Sequence, residues 1–527
     1  MEVETGVLGP GRGDANHGGR VAHNRCMQAL LVILLLLGPT LAGAAPWFDG
    51  ARPSAQAREA VALLADAASH GLDPRVYGAD ALARELDDGS AADALGPRLD
   101  AALQRYLNDL HFGRIDPRTI HHGFRPLRRV PFDAAAEVQR ALATGRMADA
   151  VQAAVPPLPT YGQLREALLR YRVLATHPAW ASPLPPLPSL PSRPAKSKTD
   201  ADAAWAGDAL LHERLTALGD AAEGTPPDAA LRSFQRRHGL DDDGVLGRAT
   251  WAALQVTPAQ RVRQIELTLE RLRWTPLLQG PRMIVINVPE YVLRAYAVED
   301  GRIRVQQTMK VVVGRAAVTR TPLIDEDLRA IEFSPYWNVP PSIARGELVP
   351  RLRRDPAHWT KEGYEFVGPG GRVETALSTA RLDLVPGGGW RIRQRPGPRN
   401  ALGDIKFVLP NNDSIYLHHT PSTQLFDRDR RDFSHGCIRL QDPVALALFV
   451  LEGQPEWTEE RIRAAMAAGK SSTLRLTDPV RVVITYGTAI VRDGRTYFYD
   501  DIYGHDRLLD AALRRASAVR SGPATRS

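Results

Sequence analysis

Cysteine is almost missing from this chain. Its 527 residues hold two, Cys26 and Cys437, too few for a disulfide framework. A dense basic stripe interleaved with aromatics is also missing, which argues against a nucleic-acid partner. Lysine is scarce beside arginine, and alanine and proline are abundant; we read both as base composition of the gene. The longest unbroken apolar run near the N-terminus, Ala29 to Leu37, is short for crossing about 30 Å of hydrocarbon. What is present fits a soluble globular protein of two to four domains: 44% hydrophobic and 24% charged residues. The net charge of +7 is modest over this length and is compatible with an anionic polymer as partner.

Residues 1–45 read as a signal peptide. Arg20, His23 and Arg25 precede the apolar run, Pro39 breaks it, and Ala42-Gly43-Ala44 supplies the small residues of a cleavage site. An uncleaved membrane anchor is the alternative. Either way the bulk of the chain is expected to be exported, to the periplasm. Cys26 precedes the apolar run and makes no lipoprotein box. After cleavage Cys437 is the one remaining thiol. Exported thiols usually pair, so a lone one is an accident, an intermolecular link or a working nucleophile.

Residues 51–180 repeat apolar positions at three and four, as in "SAQAREAVALLADAASHGL", and predict a helical scaffold domain. Gly71 and Gly113 stand where helix C-caps would fall. Residues 181–200 are proline-rich and predict an extended linker; a ligand for an SH3-like module is the lesser reading. Residues 204–256 predict a small unit, with one helix through Leu231 and Phe234 ending at Gly239. A turn at Asp241–Gly244 follows, then a helix from Thr250 to Leu254. The turn has the aspartates of a calcium loop but lacks its later glutamate. "FQRRHGLDDDGVLGRATWAAL" resembles the three-helix peptidoglycan-binding module of wall enzymes.

From about residue 280 to 505 the period changes to strands, with hairpin turns at Glu299-Asp300-Gly301 and Asp493-Gly494. Residues 341–389 are charged, partly helical and glycine-rich, and read as an insertion or lid. Strands resume at "GWRIRQRPG". Asp442-Pro443 opens a helix as N-cap and N1. Residues 506–527 read as a C-terminal tail. The fold class is thus α+β and multidomain: a helical scaffold, a three-helix binding module and a β-rich catalytic domain with a capping insertion.

The chemistry gathers at "DFSHGCIRL", Asp432 to Leu440. A thiol is mostly protonated at neutral pH and needs a cation or base to become a nucleophile. His435, Cys437 and Arg439 alternate and would share a strand face. "YLHHT" supplies His418 and His419, with fifteen residues between His418 and Ser434, enough for a loop to return. Gly436 allows close backbone approach, and amides near Cys437 could hold an oxyanion. Alone, the cysteine would be an apolar filler and either histidine structural. Zinc is a rival, since Cys437, His435 and His418 are ligand types, but the spacing is not compact and no fourth ligand stands out. Neither metal nor other cofactor is expected.

"IYLHHT" followed by "SHGCIRL" resembles the signature of L,D-transpeptidases with a YkuD-type catalytic domain. "INVPEYVLRAY", "VVVGR" with Thr321-Pro322, "FSPYWNVPPSIA" and "RQRPGPRNALGDIKF" resemble its large YcbB-like branch. The resemblance implies Cys437 as nucleophile, His418 as general base oriented by the His419 carbonyl, and His435 as support for the thiolate or oxyanion. Ser434, Gly436 and Arg439 match the remaining motif positions, and Tyr416, Trp337 and Asn338 are implied substrate contacts. The second histidine of the pair, His419, departs from the usual Gly or Asp. The implied reaction forms a thioester at the third residue of a tetrapeptide stem, with release of D-Ala. A second stem's side-chain amine then gives a 3→3 cross-link, and water would give a carboxypeptidase. The implied partners are stem peptides and glycan, with the membrane involved only through an uncleaved anchor. The alternatives are a non-catalytic wall-binding protein, or a same-fold enzyme that attaches or detaches a wall-anchored protein.

Overall fold

The computed structural model describes residues 47–521, except 51, 89–91, 122–123, 125–130, 188–204, 275–279 and 301. The N-terminal segment 1–45 and the linker beyond Leu187 lie outside the described residues. No described helix is long and apolar enough to cross a membrane.

The scaffold's helices include Ala55–Ala65, Ala79–Asp87, Ala92–Phe112, Ala134–Thr144 and Met147–Ala154. Their ends follow local chemistry. Ser54 and Asp133 accept amide hydrogens of the first turn, and Gly71 and Gly145 close helical segments at positive φ. Gly113 also has positive φ, directly after Phe112. Leu64, Leu99, Leu107, Leu110 and Val138 are fully buried in one core.

The binding module has three helices, Asp208–Ala217, Pro227–Arg237 and Arg248–Gln255. The acidic segment between the second and third is a hydrogen-bonded turn. Asp243 Oδ1 accepts from the Val245 amide at 2.8 Å and from Gln235 Nε2 at 2.8 Å. The start of the proline-rich segment does not extend freely. Leu184 is buried in the module's core, and Trp251, Gln255 and Arg214 donate to the carbonyls of Pro185, Leu184 and Ser182. A proline-rich segment has few amides of its own to pair with its carbonyls, and these donors satisfy three of them.

The catalytic domain is a closed barrel. Around the ring its strands are Arg302–Gly314, Ile438–Leu440, Leu417–His418, Ile405–Val408, Ile324–Phe333, Ser472–Thr485, Arg282–Asn287 and Val292–Glu299. The last pairs again with the first, so none of these eight strands is left as an open edge. Asp432–Ser434 adds beside Arg302–Gly314. Helix Pro443–Val450 starts as its sequence predicts, with Asp442 accepting from the Ala445 amide at 2.9 Å.

Three sequence expectations change. First, "GWRIRQRPG" does not rejoin the barrel. Arg391–Gln394 pairs with Trp337–Asn338 and Tyr364–Val367 in a separate sheet of four, so the insertion runs from 337 to 394. It has its own core, with Trp359, Phe366 and Leu352 buried. Alternation identifies a strand but not its sheet. Second, the C-terminal tail is a helix, His505–Ser521, whose Leu509, Ala512 and Leu513 bury into the barrel's core. Third, residues 257–279 were assigned to no domain, yet Pro258–Leu272 is a helix. Thr257 and Gln260 form a capping box with Pro258 at N1, a signal present in the sequence. Ile265 and Leu269 pack toward the helix Pro159–Leu174, and Arg271 reaches Asp506 of the last helix at 2.6 Å. This helix joins scaffold, module and barrel.

The module docks on the hairpin Ala489–Arg492/Arg495–Phe498. Arg237 pairs with Asp220 in full burial and donates to the Thr496 carbonyl at 2.7 Å, while Arg495 reaches Asp220 at 2.7 Å. Removing one partner strands a buried charge, so Asp220→Ala is expected to cost about 3–5 kcal/mol. Asp242→Ala, which breaks the half-exposed pair with Arg236, should cost about 1 kcal/mol or less. Thermal unfolding of the two variants checks the difference; equal midpoints would contradict it.

Candidate active site

The parallel pairing of Leu417–His418 with Ile438–Leu440 builds the site. Its register sets Leu417 against Ile438 and His418 against Arg439. Side chains alternate along a strand. Leu417, Ile438 and Leu440 therefore enter the barrel core. Tyr416, His418, Cys437 and Arg439 face the other way and line one cavity of about 800 Å³. Trp337, Asn338, Ser434 and His435 line it too, and Arg345 and Arg391 do so from the insertion. That volume suits a peptide-sized ligand.

Cys437 is partly buried, and its Sγ lies 3.6 Å from the Ser414 carbonyl. Burial pushes the thiol above its ordinary value. Hydrogen bonds from the amide and the phenol of Tyr416, and the charges of Lys406 and Arg439, pull the other way. Trp337 in turn donates to Tyr416, and Lys406 sits 4.7 Å from the Tyr416 ring centroid. Ser414 has φ +55°, a strained conformation for a side-chain-bearing residue. Asn411 holds this turn by bonding the Ile415 carbonyl at 2.7 Å and the Ile415 amide at 2.9 Å.

His418 is buried, and its pKa falls to about 3, first through burial and then through the Arg439 charge. Its Nδ1 lies 2.5 Å from the His419 carbonyl. A carbonyl only accepts, so Nδ1 carries the proton, and the neutral ring keeps its lone pair on Nε2. The His419 side chain does something else. Its Nδ1 pairs with Asp404 at 2.7 Å and lines a different, smaller cavity. The two adjacent histidines are separated by strand alternation.

The Ser434–Cys437 loop is tied down on all sides. Ser434 Oγ donates to the Cys437 carbonyl at 2.6 Å and accepts from the Gly436 amide at 3.1 Å. The Gly436 amide is thus committed, which corrects the expectation that it was available to an oxyanion. Gly436 itself needs glycine, with φ +118°. Thr321 donates to the Gly436 carbonyl at 2.7 Å and accepts from the Gly314 amide at 2.9 Å. Thr319 donates to the Ser434 carbonyl at 2.9 Å. Tyr503, just before the last helix, donates to the Gly314 carbonyl at 2.6 Å. Arg439 is a half-buried cation whose pKa burial and Arg315 both lower; its Nε is buried without a partner. His435 Nε2 lies 2.7 Å from Arg315 and 2.7 Å from Glu347 of the insertion.

Comparison with known families places this geometry. Residues 281–458 match the model of the L,D-transpeptidase catalytic domain, YkuD. The chain carries an L,D-transpeptidase catalytic domain. Residues 42–168 match a scaffold domain, and residues 214–254 match a model described as "Putative peptidoglycan binding domain". A Haemophilus influenzae protein named "Putative L,D-transpeptidase" is 31% identical over 250 residues, 47% of this chain and 49% of that protein. The matched region therefore spans about half the length of this curated relative.

Reading the L,D-transpeptidase motif from sequence brought together Cys437, His418, His435, Arg439, Tyr416, Trp337 and Asn338, all of which line the cavity. Glu347 and Ser414 were missed, and Arg315 stood in the sequence only as the last residue of "VVVGR", with no role attached. Glu347 comes from a distant segment and carries no local pattern. Because Arg439 supports the Cys437 thiolate and opposes His418 protonation, Arg439→Gln should move Cys437 ionisation to higher pH. The iodoacetamide alkylation rate of the wild type should still be climbing at about pH 9, past the ordinary thiol value. The variant's curve should lie to its alkaline side; a shift toward acid would contradict this reading.

Proposed function

We propose that this protein is an exported peptidoglycan L,D-transpeptidase that makes 3→3 cross-links through a cysteine acyl-enzyme. The observation that carries the reading is the shared cavity face of Cys437 and a neutral, Nδ1-protonated His418. The family match and the adjoining binding module support it.

Cys437 starts as a thiol, so attack and deprotonation are coupled. His418 Nε2 takes the proton as Sγ adds to the carbonyl of the third stem residue. The His419 carbonyl stabilises the imidazolium that forms. The Tyr416 amide and phenol favour the thiolate form of Cys437. The Gly436 amide is engaged by Ser434, and we assign the oxyanion to the Cys437 amide. The D-Ala amine leaves with the proton from His418, and a thioester remains. A second stem's side-chain amine attacks it, His418 accepts that proton, and the thiol is released. Arg345, Arg391 and Arg439 give the cavity a positive character that suits the carboxylates of stem peptides. The insertion roofs the cavity and limits water, which favours the amine over hydrolysis.

Incubating the chain from Ala45 onward with disaccharide-tetrapeptide and reading products by mass spectrometry tests the reading. The expected product is a dimer lacking one D-Ala, absent with Cys437→Ala. With His418→Ala the rate should drop about 10²-fold or more. Tripeptide alone would replace transpeptidation by hydrolysis. No Cys437-dependent product would leave wall binding as the function. Replacing residues 341–389 by a short linker should raise the hydrolysis-to-transfer ratio; an unchanged ratio would remove the insertion from the mechanism.

A further inference from the structure

The contact between the insertion and the catalytic motif poses a chemical conflict. His435 Nε2 is 2.7 Å from an Arg315 guanidinium nitrogen and 2.7 Å from Glu347 Oε1. Arginine only donates, so its contact requires a lone pair on Nε2. Glutamate, when ionised, only accepts, so its contact requires a proton on Nε2. One nitrogen cannot meet both demands at once. The two partners also differ in what fixes them. Arg315 belongs to the barrel: it follows strand Arg302–Gly314, and its amide bonds the Ser434 carbonyl at 3.0 Å, on the loop that carries His435. Glu347 belongs to the insertion, in a single π-helical turn, Ala344–Leu348, whose Ala344 and Leu348 are buried in the insertion's own core. Such turns add a residue to a helix and often mark functional positions. Here the turn leaves Glu347 about half exposed and facing His435 and Arg315.

We propose that Glu347 is a positioning residue that sets which nitrogen of His435 carries the proton, and so reports the insertion's placement to the catalytic motif. With Glu347 seated, Nε2–H donates to its carboxylate and Nδ1 holds the lone pair. With Glu347 withdrawn, Arg315 donates to Nε2 and the proton moves to Nδ1. No proton is gained or lost by the ring; the two nitrogens exchange donor and acceptor roles. The insertion thus acts on chemistry beneath it without touching Cys437. The consequence for turnover rests on the transpeptidase reading; the tautomer does not.

The test uses the full chain labelled with nitrogen-15 histidine at mildly alkaline pH. His435 is assigned by its loss in His435→Gln, and long-range proton–nitrogen correlation reads the tautomer. The wild type is expected to be Nε2-protonated and Glu347→Ala to be Nδ1-protonated. Glu347→Gln, whose amide oxygen still accepts, should resemble the wild type. An unchanged tautomer in Glu347→Ala, a doubly protonated ring in the wild type, or Glu347→Gln matching the alanine variant would each overturn the proposal. In the tetrapeptide assay Glu347→Ala should lose about 2- to 30-fold in kcat with KM little changed, and Glu347→Gln should recover it. A wild type without turnover would refute the transpeptidase reading while leaving the tautomer result to stand. An active wild type with equal kcat in all three would refute the coupling.

Discussion

The site depends on one short parallel ladder. Two residues of one strand, Leu417 and His418, lie in register with Ile438 and Arg439. Because side chains alternate, this register sorts seven residues between core and cavity. A slip of one position would exchange the faces, sending Leu417 and Ile438 into the cavity and His418 and Cys437 into the apolar core. The buried Leu417, Ile438 and Leu440, each with no exposure, oppose that slip, since each is worth about 1.5–3 kcal/mol when fully buried. The geometry of Cys437 and His418 is therefore held by the hydrophobic core beneath them.

The loop around the nucleophile has little regular structure and is held by side chains instead. Ser434, Thr319 and Thr321 satisfy its backbone groups, and Tyr503 holds the Gly314 carbonyl beside it. The close approach explains Gly314, where a Cβ would stand 1.9 Å from the Thr319 carbonyl oxygen. Tyr503 precedes the C-terminal helix, so the far end of the chain buttresses the site. The helix Pro258–Leu272 extends that support to the scaffold by apolar packing and to the last helix through Arg271–Asp506. The module docks on its hairpin through the buried Arg237–Asp220 pair and Arg495, a cluster that costs most when half removed.

Around this rigid base the insertion is a folded unit with its own core and sheet. It meets the barrel's catalytic loop through polar contacts at Glu347, His435 and Arg315, and these groups stay partly exposed. Apolar packing fixes the strands, while hydrogen bonds at the cavity rim remain exchangeable. On the proposed transpeptidase reading, that division suits a site that admits two peptides in turn and excludes water between them.

The sequence alone marked the candidate residues and the order of parts. Residue type and spacing singled out a thiol beside a histidine and an arginine, and a second histidine before a loop; the resemblance to L,D-transpeptidases is what implied a role for each. Helical and strand periods marked scaffold, module and a β-rich domain, because amphipathic faces are written locally; that the strands close into a barrel emerged only with their pairing. Only the tertiary structure decided which of two adjacent histidines faces the cavity, since that rests on pairing across strands. It alone separated the insertion's strands from the barrel's, turned the expected tail into a packed helix, and brought Arg315 and Glu347 to His435. Those relations join segments far apart in the chain, and no local pattern encodes a contact whose partners meet only after the core has formed.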